Sequence, residues 1–233
     1  MHKAATRGHA NHGWLESYHT FSFANYHNPE RMNFGVLRVL NDDRVIEGMG
    51  FGKHPHDNME IISIPLDGDL EHQDSMGNVT VIKNGDIQVM SAGTGLYHSE
   101  YNKNKDQEVK FLQIWVYPNQ KNVTPRYDQI TLNLEDRHNK LQQILSPNSE
   151  DEGVWIYQDA WFYLADFDKD FSKTYEIKKA DNGLYVFVIS GIISVNGQEL
   201  ETRDGFGICN FKNLEFTATT DAKFLLMEIP MNQ

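Results

Sequence analysis

The sequence predicts an all-β chain built as two tandem antiparallel β-barrels of jelly-roll type, with few short helices. Three observations predict it: short β-prone runs punctuated by Gly, Asn and Asp along the whole length, a polar interruption near the middle, and an echo of the first half in the second. A chain of 233 residues has room for two small units, and by size scaling buries roughly 70% of its unfolded surface.

The runs in the first half are Gly35 to Leu40, Ile61 to Leu66, Val79 to Ile82, Ile87 to Met90 and Val109 to Tyr117. Their spacing is that of a sandwich or barrel. Between Tyr117 and Gly153 the pattern weakens through Pro118-Asn119-Gln120-Lys121-Asn122 and Leu141 to Pro147, which reads as the connection between units. Runs resume at Val154 to Tyr157, Trp161 to Asp166, Leu184 to Ser190, Ile192 to Val195 and Lys223 to Ile229. The division is then residues 1–130, a metal-binding barrel, and residues 131–233, a second barrel without ligands. Asp67-Gly68-Asp69 and Ser190-Gly191-Ile192 are counterparts, as are Asn84-Gly85-Asp86 and Asp204-Gly205-Phe206. Aligned on these glycines, the second copy carries Ile177 and Lys179 at the places of His54 and His56, and Ala218 at the place of His98.

The formal net charge of -12 opposes binding to a phosphate backbone, so direct nucleic-acid contact is not expected. No apolar run is long enough to span a bilayer, and Met1 to Trp14 lacks the apolar centre of a signal peptide. A cytoplasmic protein without membrane contact is expected, and the acidic surface is compatible with a monomer. The single cysteine, Cys209, excludes an internal disulfide and thiolate-rich metal sites, and reads as a small core residue. A metal in this chain must use nitrogen and oxygen. Nine of the ten histidines lie at or before His98, which assigns imidazole chemistry to the first half.

His54 and His56 stand two residues apart in Gly52-Lys53-His54-Pro55-His56, which on a strand puts both on one face. His98 and Glu100 repeat the spacing in Leu96-Tyr97-His98-Ser99-Glu100. Two such strands facing each other in a barrel supply four ligands to one divalent ion and leave coordination positions open. Pro55 cannot donate to a ladder on both sides and so belongs at an edge. Gly93 and Gly95 permit the sharp approach that turns His98 inward. A single histidine is more often a hydrogen-bonded core or surface residue; two same-face pairs ending in a carboxylate are a more specific signal. His72, on the following strand, fits a cavity wall, a core or a surface equally. Gln113 and Trp115 alternate with Leu112 and Ile114, with core packing the reading for Trp115. His9, His12, His19 and His27 have no metal-like spacing and read as a wrapping segment.

The first segment resembles the cupin motif H-x-H-x-x-x-E followed by Gly, through His54, His56, Glu60 and Gly68. The second resembles the other cupin motif, in which Gly85 leads to Gly95-x-x-His98-x-x-x-Asn102. One extra residue separates Glu60 from Gly68, and two separate Gly85 from the Gly-x-Gly. The stretches Arg7 to Trp14, His19 to Ala24, Glu71 to Asp74, Met90 to Gly95, His98-Ser99-Glu100 and Leu112 to Val116 together resemble the pirin family, a bicupin family, and specifically its bacterial quercetinase-like branch. The likeness covers most of residues 7–130.

In ordinary cupins the first-motif glutamate binds the metal; in pirins the fourth ligand is the glutamate two residues after the last histidine, here Glu100. Glu60, which shares strand parity with His54 and His56, is expected to point inward and hydrogen-bond a neighbour, with ligation as the minority reading. The resemblance implies one divalent transition metal, iron(II) favoured; Mn, Co, Ni, Cu or Zn also suits three imidazoles and a carboxylate. It further implies a quercetin 2,3-dioxygenase that opens a flavonol-like aromatic substrate with O2 and releases carbon monoxide, with Glu100 as the catalytic base. Two alternatives stand beside it: an iron-binding, redox-responsive regulator acting through protein partners, as eukaryotic pirins are described, and a metal-stabilised barrel without turnover.

Overall fold

Strand Leu96–Asn102 alternates buried and more open residues along its whole length, and this period of two sets the inside and outside of the first barrel. The computed structural model describes residues 1–232. It is all-β, as expected, with helical geometry among the described residues confined to 3-10 turns at Ala4–Thr6 and Leu134–Arg137. The first barrel is closed by a seven-stranded and a four-stranded sheet. In the larger, the order is Gly8–Asn11, Leu15–His19, Leu37–Val45, Val109–Val116, Glu60–Asp67, Asp86–Ser91 and Arg126–Thr131. In the smaller it is Gly50–His56, Leu96–Asn102, Leu70–Asp74 and Val79–Ile82. A six-stranded and a second four-stranded sheet build the other barrel, with Trp161–Phe167, Ala222–Pro230 and Asn182–Ser190 at the centre of the larger.

The two large sheets pack back to back. Ile62, Ile64, Leu112 and Ile114 from the first meet Phe162, Leu164, Leu225 and Met227 from the second in one continuous core. The alternate residues on the same strands, Ile61, Ser63, Phe111 and Gln113, therefore face the first barrel's interior. That interior is unusual. Its apolar packing is split into a cluster around Leu15, Val45, Leu70 and Phe111 and another around Ile61, Met90 and Leu96. The second barrel is filled by one apolar cluster that includes Phe216, Ala218 and Phe224.

The internal echo holds at the hairpins. Gly68 and Gly191 each turn the chain with left-handed φ of 72° and 81°, and a Cβ on Gly191 would fall 2.2 Å from the Asp221 carbonyl oxygen. The second alignment point shifts, however. Asp86 accepts from the Lys83 backbone N–H at 2.8 Å and Asp204 accepts from the Glu201 backbone N–H at 3.1 Å, so the two aspartates are the equivalents. On that spacing Phe216 replaces Ala218 opposite His98; both are fully buried and neither can bind a metal. Ile177 is half-buried and Lys179 exposed.

Three expectations change. The stretch from Tyr117 to Gly153 contains strands Arg126–Thr131 and Gln142–Ser146, the first laid on Asp86–Ser91 and the second on Trp161–Phe167. The first is an edge strand of half-buried residues, and so has no apolar alternation to read. The N-terminal wrapping segment forms strands Gly8–Asn11 and Leu15–His19, while His2 bridges to Gly205 of the second barrel and Lys3 pairs with Asp204 at 2.7 Å. Cys209 is exposed and not part of a core. Among the described residues, no helix is long and apolar enough to cross a membrane.

Candidate metal centre

Strand Gly50–His56 lies at the edge of the four-stranded sheet, where Pro55 has an outer side that needs no donor. It pairs antiparallel with Leu96–Asn102, and a bulge between Phe51 and His54 sets His54 directly opposite His98. The two ligand-bearing segments are thus neighbouring strands of one sheet, not strands facing each other across the barrel. Cross-strand neighbours on one face bring side chains as close as facing ones do. The alternation of Leu96–Asn102 buries both His98 and Glu100, which are 2% and 3% exposed. Gly93 and Gly95, with φ of 49° and 120°, make the preceding turn; a Cβ on Gly93 would stand 2.0 Å from the Val123 carbonyl oxygen, so glycine is required.

Three imidazoles converge. The ring centroids of His54 and His98 are 4.4 Å apart, and His56 lies 4.9 Å from each. Nε2 of His54 and Nε2 of His98 approach to 2.9 Å, while Nε2 of His56 is buried without a hydrogen-bond partner. The Nδ1 of His54 donates to the Gly52 carbonyl at 2.8 Å, which leaves a lone pair on its Nε2. Burial lowers the pKa of His98 to about 3 and of His56 to about 4, and the neighbouring imidazoles add to the shift. Neutral rings are the form that binds metal. Two nitrogens each ~2.1 Å from one ion at right angles would be ~3 Å apart, close to the His54–His98 separation. The donor set fits a divalent ion.

Glu100 stands beside His98. Ligand atoms of His98, Glu100 and the fully buried His72 lie within 4.8 Å of one another, as do those of His54, His56 and His98; His98 is common to both groups. Gln113 donates to both Glu100 oxygens, and Ser63 donates to Oε1 at 3.2 Å. His72 adds a bond between its Nε2 and Asp74 at 3.2 Å and packs against the His98 ring.

Glu60 does not join this cluster. Parity does not carry across the turn at Asn58, whose φ is 44°, and Glu60 emerges on the face of its strand that carries Ile62 and Ile64. Its carboxylate accepts from Ser91 at 2.7 Å and from the backbone N–H of Tyr157, near Arg126, between the two barrels. Burial raises its pKa to about 7.

His54, His56 and Glu100 line a cavity of about 460 Å³, well within the range of small-molecule sites. Trp14, Phe23, Phe51 and Trp115 give it aromatic walls; Trp115 stands edge-on to His56 at 4.9 Å and to Phe23 at 5.4 Å, and so is a cavity residue as well as a packing one. His19, Asn41 and Asp43 also line it. Nothing in the spacing of the N-terminal histidines singled out His19, and Asn41 and Asp43 lie just past the predicted run Gly35 to Leu40, in the part of strand Leu37–Val45 that the pattern did not reach. The available signal was alternation: Val39, Asn41, Asp43 and Val45 share one face of the strand, so two polar residues stand between two apolar ones on that face.

The description "Pirin" matches residues 1–116 and "Quercetinase C-terminal cupin domain" matches residues 143–229. A relative named quercetin 2,3-dioxygenase from Escherichia coli strain K12 is 42% identical over 230 residues, covering 99% of this chain and 98% of its own. A pirin-like protein of Caulobacter vibrioides is 39% identical over 222 residues, with 95% of each chain covered. The crystal structure of the bacterial pirin YhhW from Escherichia coli in complex with nickel(II) superposes with a TM-score of 0.93 at 41% identity, covering 98% of this chain and 97% of that one. With both barrels matched and relatives of nearly equal length, the chain belongs to the pirin family.

Proposed function

We propose that the chain is a mononuclear metal-dependent dioxygenase of the quercetin 2,3-dioxygenase type, holding its ion through His54, His56, His98 and Glu100 in the unit of residues 1–130. One observation carries the reading: the imidazoles of His54, His56 and His98 converge, Glu100 stands beside His98, and His54, His56 and Glu100 line an aromatic-walled cavity. The names of the relatives support the reaction class, and the nickel(II) complex of one of them supports a divalent ion.

Held by His54, His56, His98 and Glu100, a divalent ion would supply the acidity that deprotonates a substrate hydroxyl and a common site for an oxygenated aromatic and O2. The residues of the chain supply the rest. Glu100 accepts the hydroxyl proton, and Gln113 and Ser63 keep its carboxylate turned toward the cavity. Trp14, Phe51 and Trp115 exclude water and give a flat ring faces and edges to pack on. The second barrel, solid and without ligands, supports the first through the shared core. A roomy cavity at the ligands favours a small-molecule substrate over a purely regulatory metal.

Anaerobic reconstitution with each divalent ion in turn, followed by quercetin and O2 while carbon monoxide is monitored, tests metal, substrate and reaction together. The expected result is metal-dependent loss of quercetin with matching carbon monoxide. Flavonol consumption by no metal form would end the dioxygenase reading.

A further inference from the structure

Four polar residues sit abreast on four neighbouring strands of the seven-stranded sheet. Ser63 is in register with Gln113, Gln113 with Asn41, and Asn41 with His19. The Ser63 end of this row is occupied, because Ser63 and Gln113 both bond Glu100. The other end is not. Asn41 and His19 are 2% and 3% exposed, and the Oδ1 of Asn41 and Nδ1 of His19 are buried with no hydrogen-bond partner. The indole Nε1 of Trp115 is in the same condition, and all three side chains line the cavity.

Buried polar atoms without partners are few in a native domain and each is unfavourable, so three on side chains that line one cavity need an explanation. The fold does not demand polarity there. Four residues along the same two strands, the cross-strand pair Leu15 and Val45 fills the equivalent interior with apolar packing. A wall of one carbonyl acceptor, one indole donor and one imidazole instead matches hydroxyl and keto groups. Burial lowers the His19 pKa to about 4, which keeps that imidazole neutral and able to donate or accept. No lysine or arginine lines the cavity among the described residues, so the wall offers nothing to pair with an anionic substituent.

We infer that His19, Asn41 and the Trp115 indole N–H form a second polar subsite, beside the metal ligands, that binds uncharged oxygen substituents of a flat aromatic ligand. The inference rests on the dioxygenase reading for the near end of the ligand, and it makes the preferred substrate a polyhydroxylated ring system, not a bare one.

The test uses the full chain loaded with nickel(II) under argon and two ligands sharing the metal-directed 3-hydroxy-4-keto edge: quercetin, which carries further hydroxyls, and 3-hydroxyflavone, which carries none. Binding is read from quenching of tryptophan fluorescence, with Asn41→Leu and His19→Phe as variants, each checked for an unchanged melting curve. Wild type is expected to prefer quercetin by about tenfold or more, the equivalent of one or two net hydrogen bonds, and either variant to bring the ratio near unity by weakening quercetin alone. An unchanged ratio in a folded variant, or equal weakening of both ligands, overturns the subsite. Should Asn41→Leu fail to fold, His19→Phe carries the same comparison. Turnover in air, measured with each divalent ion in turn, separates the two claims: quercetin bound with the expected ratio but consumed by no metal form overturns the dioxygenase reading alone, consumption with no loss of ratio overturns the subsite alone, and binding of neither flavonol overturns both.

Discussion

The side-chain amide of Gln113 donates to both carboxylate oxygens of Glu100, at 3.1 Å and 2.9 Å, from a strand of the opposite sheet. One NH2 group thereby fixes the plane of the carboxylate beside His98, and Ser63 adds a bond to Oε1. Removing it leaves Glu100 buried with one donor. We expect Gln113→Leu to destabilise the fold by ~1–3 kcal/mol, the usual penalty for an unmet buried polar group. We expect kcat/KM to fall by roughly tenfold or more as the carboxylate loses its aim. Urea melts and steady-state rates measure the two effects; a fully active Gln113→Leu would show that the amide does not orient the base.

Glu100→Gln separates proton transfer from metal binding. The three imidazoles remain, so the variant should keep much of its metal by elemental analysis. Its turnover should drop by ~10²–10⁴, the range for removal of a general base. A rate equal to wild type at full metal occupancy would remove Glu100 from the base role.

What could be read from sequence followed from local rules. His54 with His56, and His98 with Glu100, share a face because a strand alternates with period two, and Pro55 found the edge because it lacks a donor. Those rules need no knowledge of neighbours. Glu60 hydrogen-bonds a neighbour as expected, but it faces away from the ligands because a turn residue with left-handed φ, Asn58, resets the parity, and sequence does not mark which Asn turns left-handed. The polar row from Ser63 to His19 was invisible because it runs across strands. Its members are far apart in sequence and adjacent only through register, which the hydrogen-bond ladder decides. Strand Arg126–Thr131 was missed for a related reason: an edge position removes the burial pattern that identifies a strand.

Two overlapping groups of ligand atoms share His98, one with His54 and His56 and one with His72 and Glu100. Single substitutions decide which holds the ion. If the proposed set is right, His54→Ala loses a direct ligand and metal content after dialysis should fall close to background. His72→Ala removes only a ring packed against His98, and its affinity should weaken by ~10–100-fold at most, as for partners behind a ligand. The reverse ranking would move the ion to the His72 side of His98.

Glu60 makes stability depend on pH. It is 1% exposed between the barrels, faced by the Ser91 hydroxyl, the Tyr157 backbone N–H and the charge of Arg126, and desolvation still raises its pKa from 4.5 to about 7. Below pH 4.5 the carboxyl is protonated in both folded and unfolded chains, and its contribution to stability is fully present. As pH rises from there, the unfolded chain ionises first and stability falls; above about pH 7 both forms are ionised and the loss is complete. The shift corresponds to ~3 kcal/mol. Glu60→Gln keeps a neutral, hydrogen-bonding side chain of the same length, so its curve lacks this descending limb. The difference in unfolding free energy between variant and wild type should therefore move in favour of the variant as pH is raised from 4.5 to 7.5, measured by urea titration of both chains in the same metal state, where all other titrating groups cancel. A difference that stays constant across that window would mean that the Glu60 carboxyl ionises as easily in the folded chain as in the unfolded one.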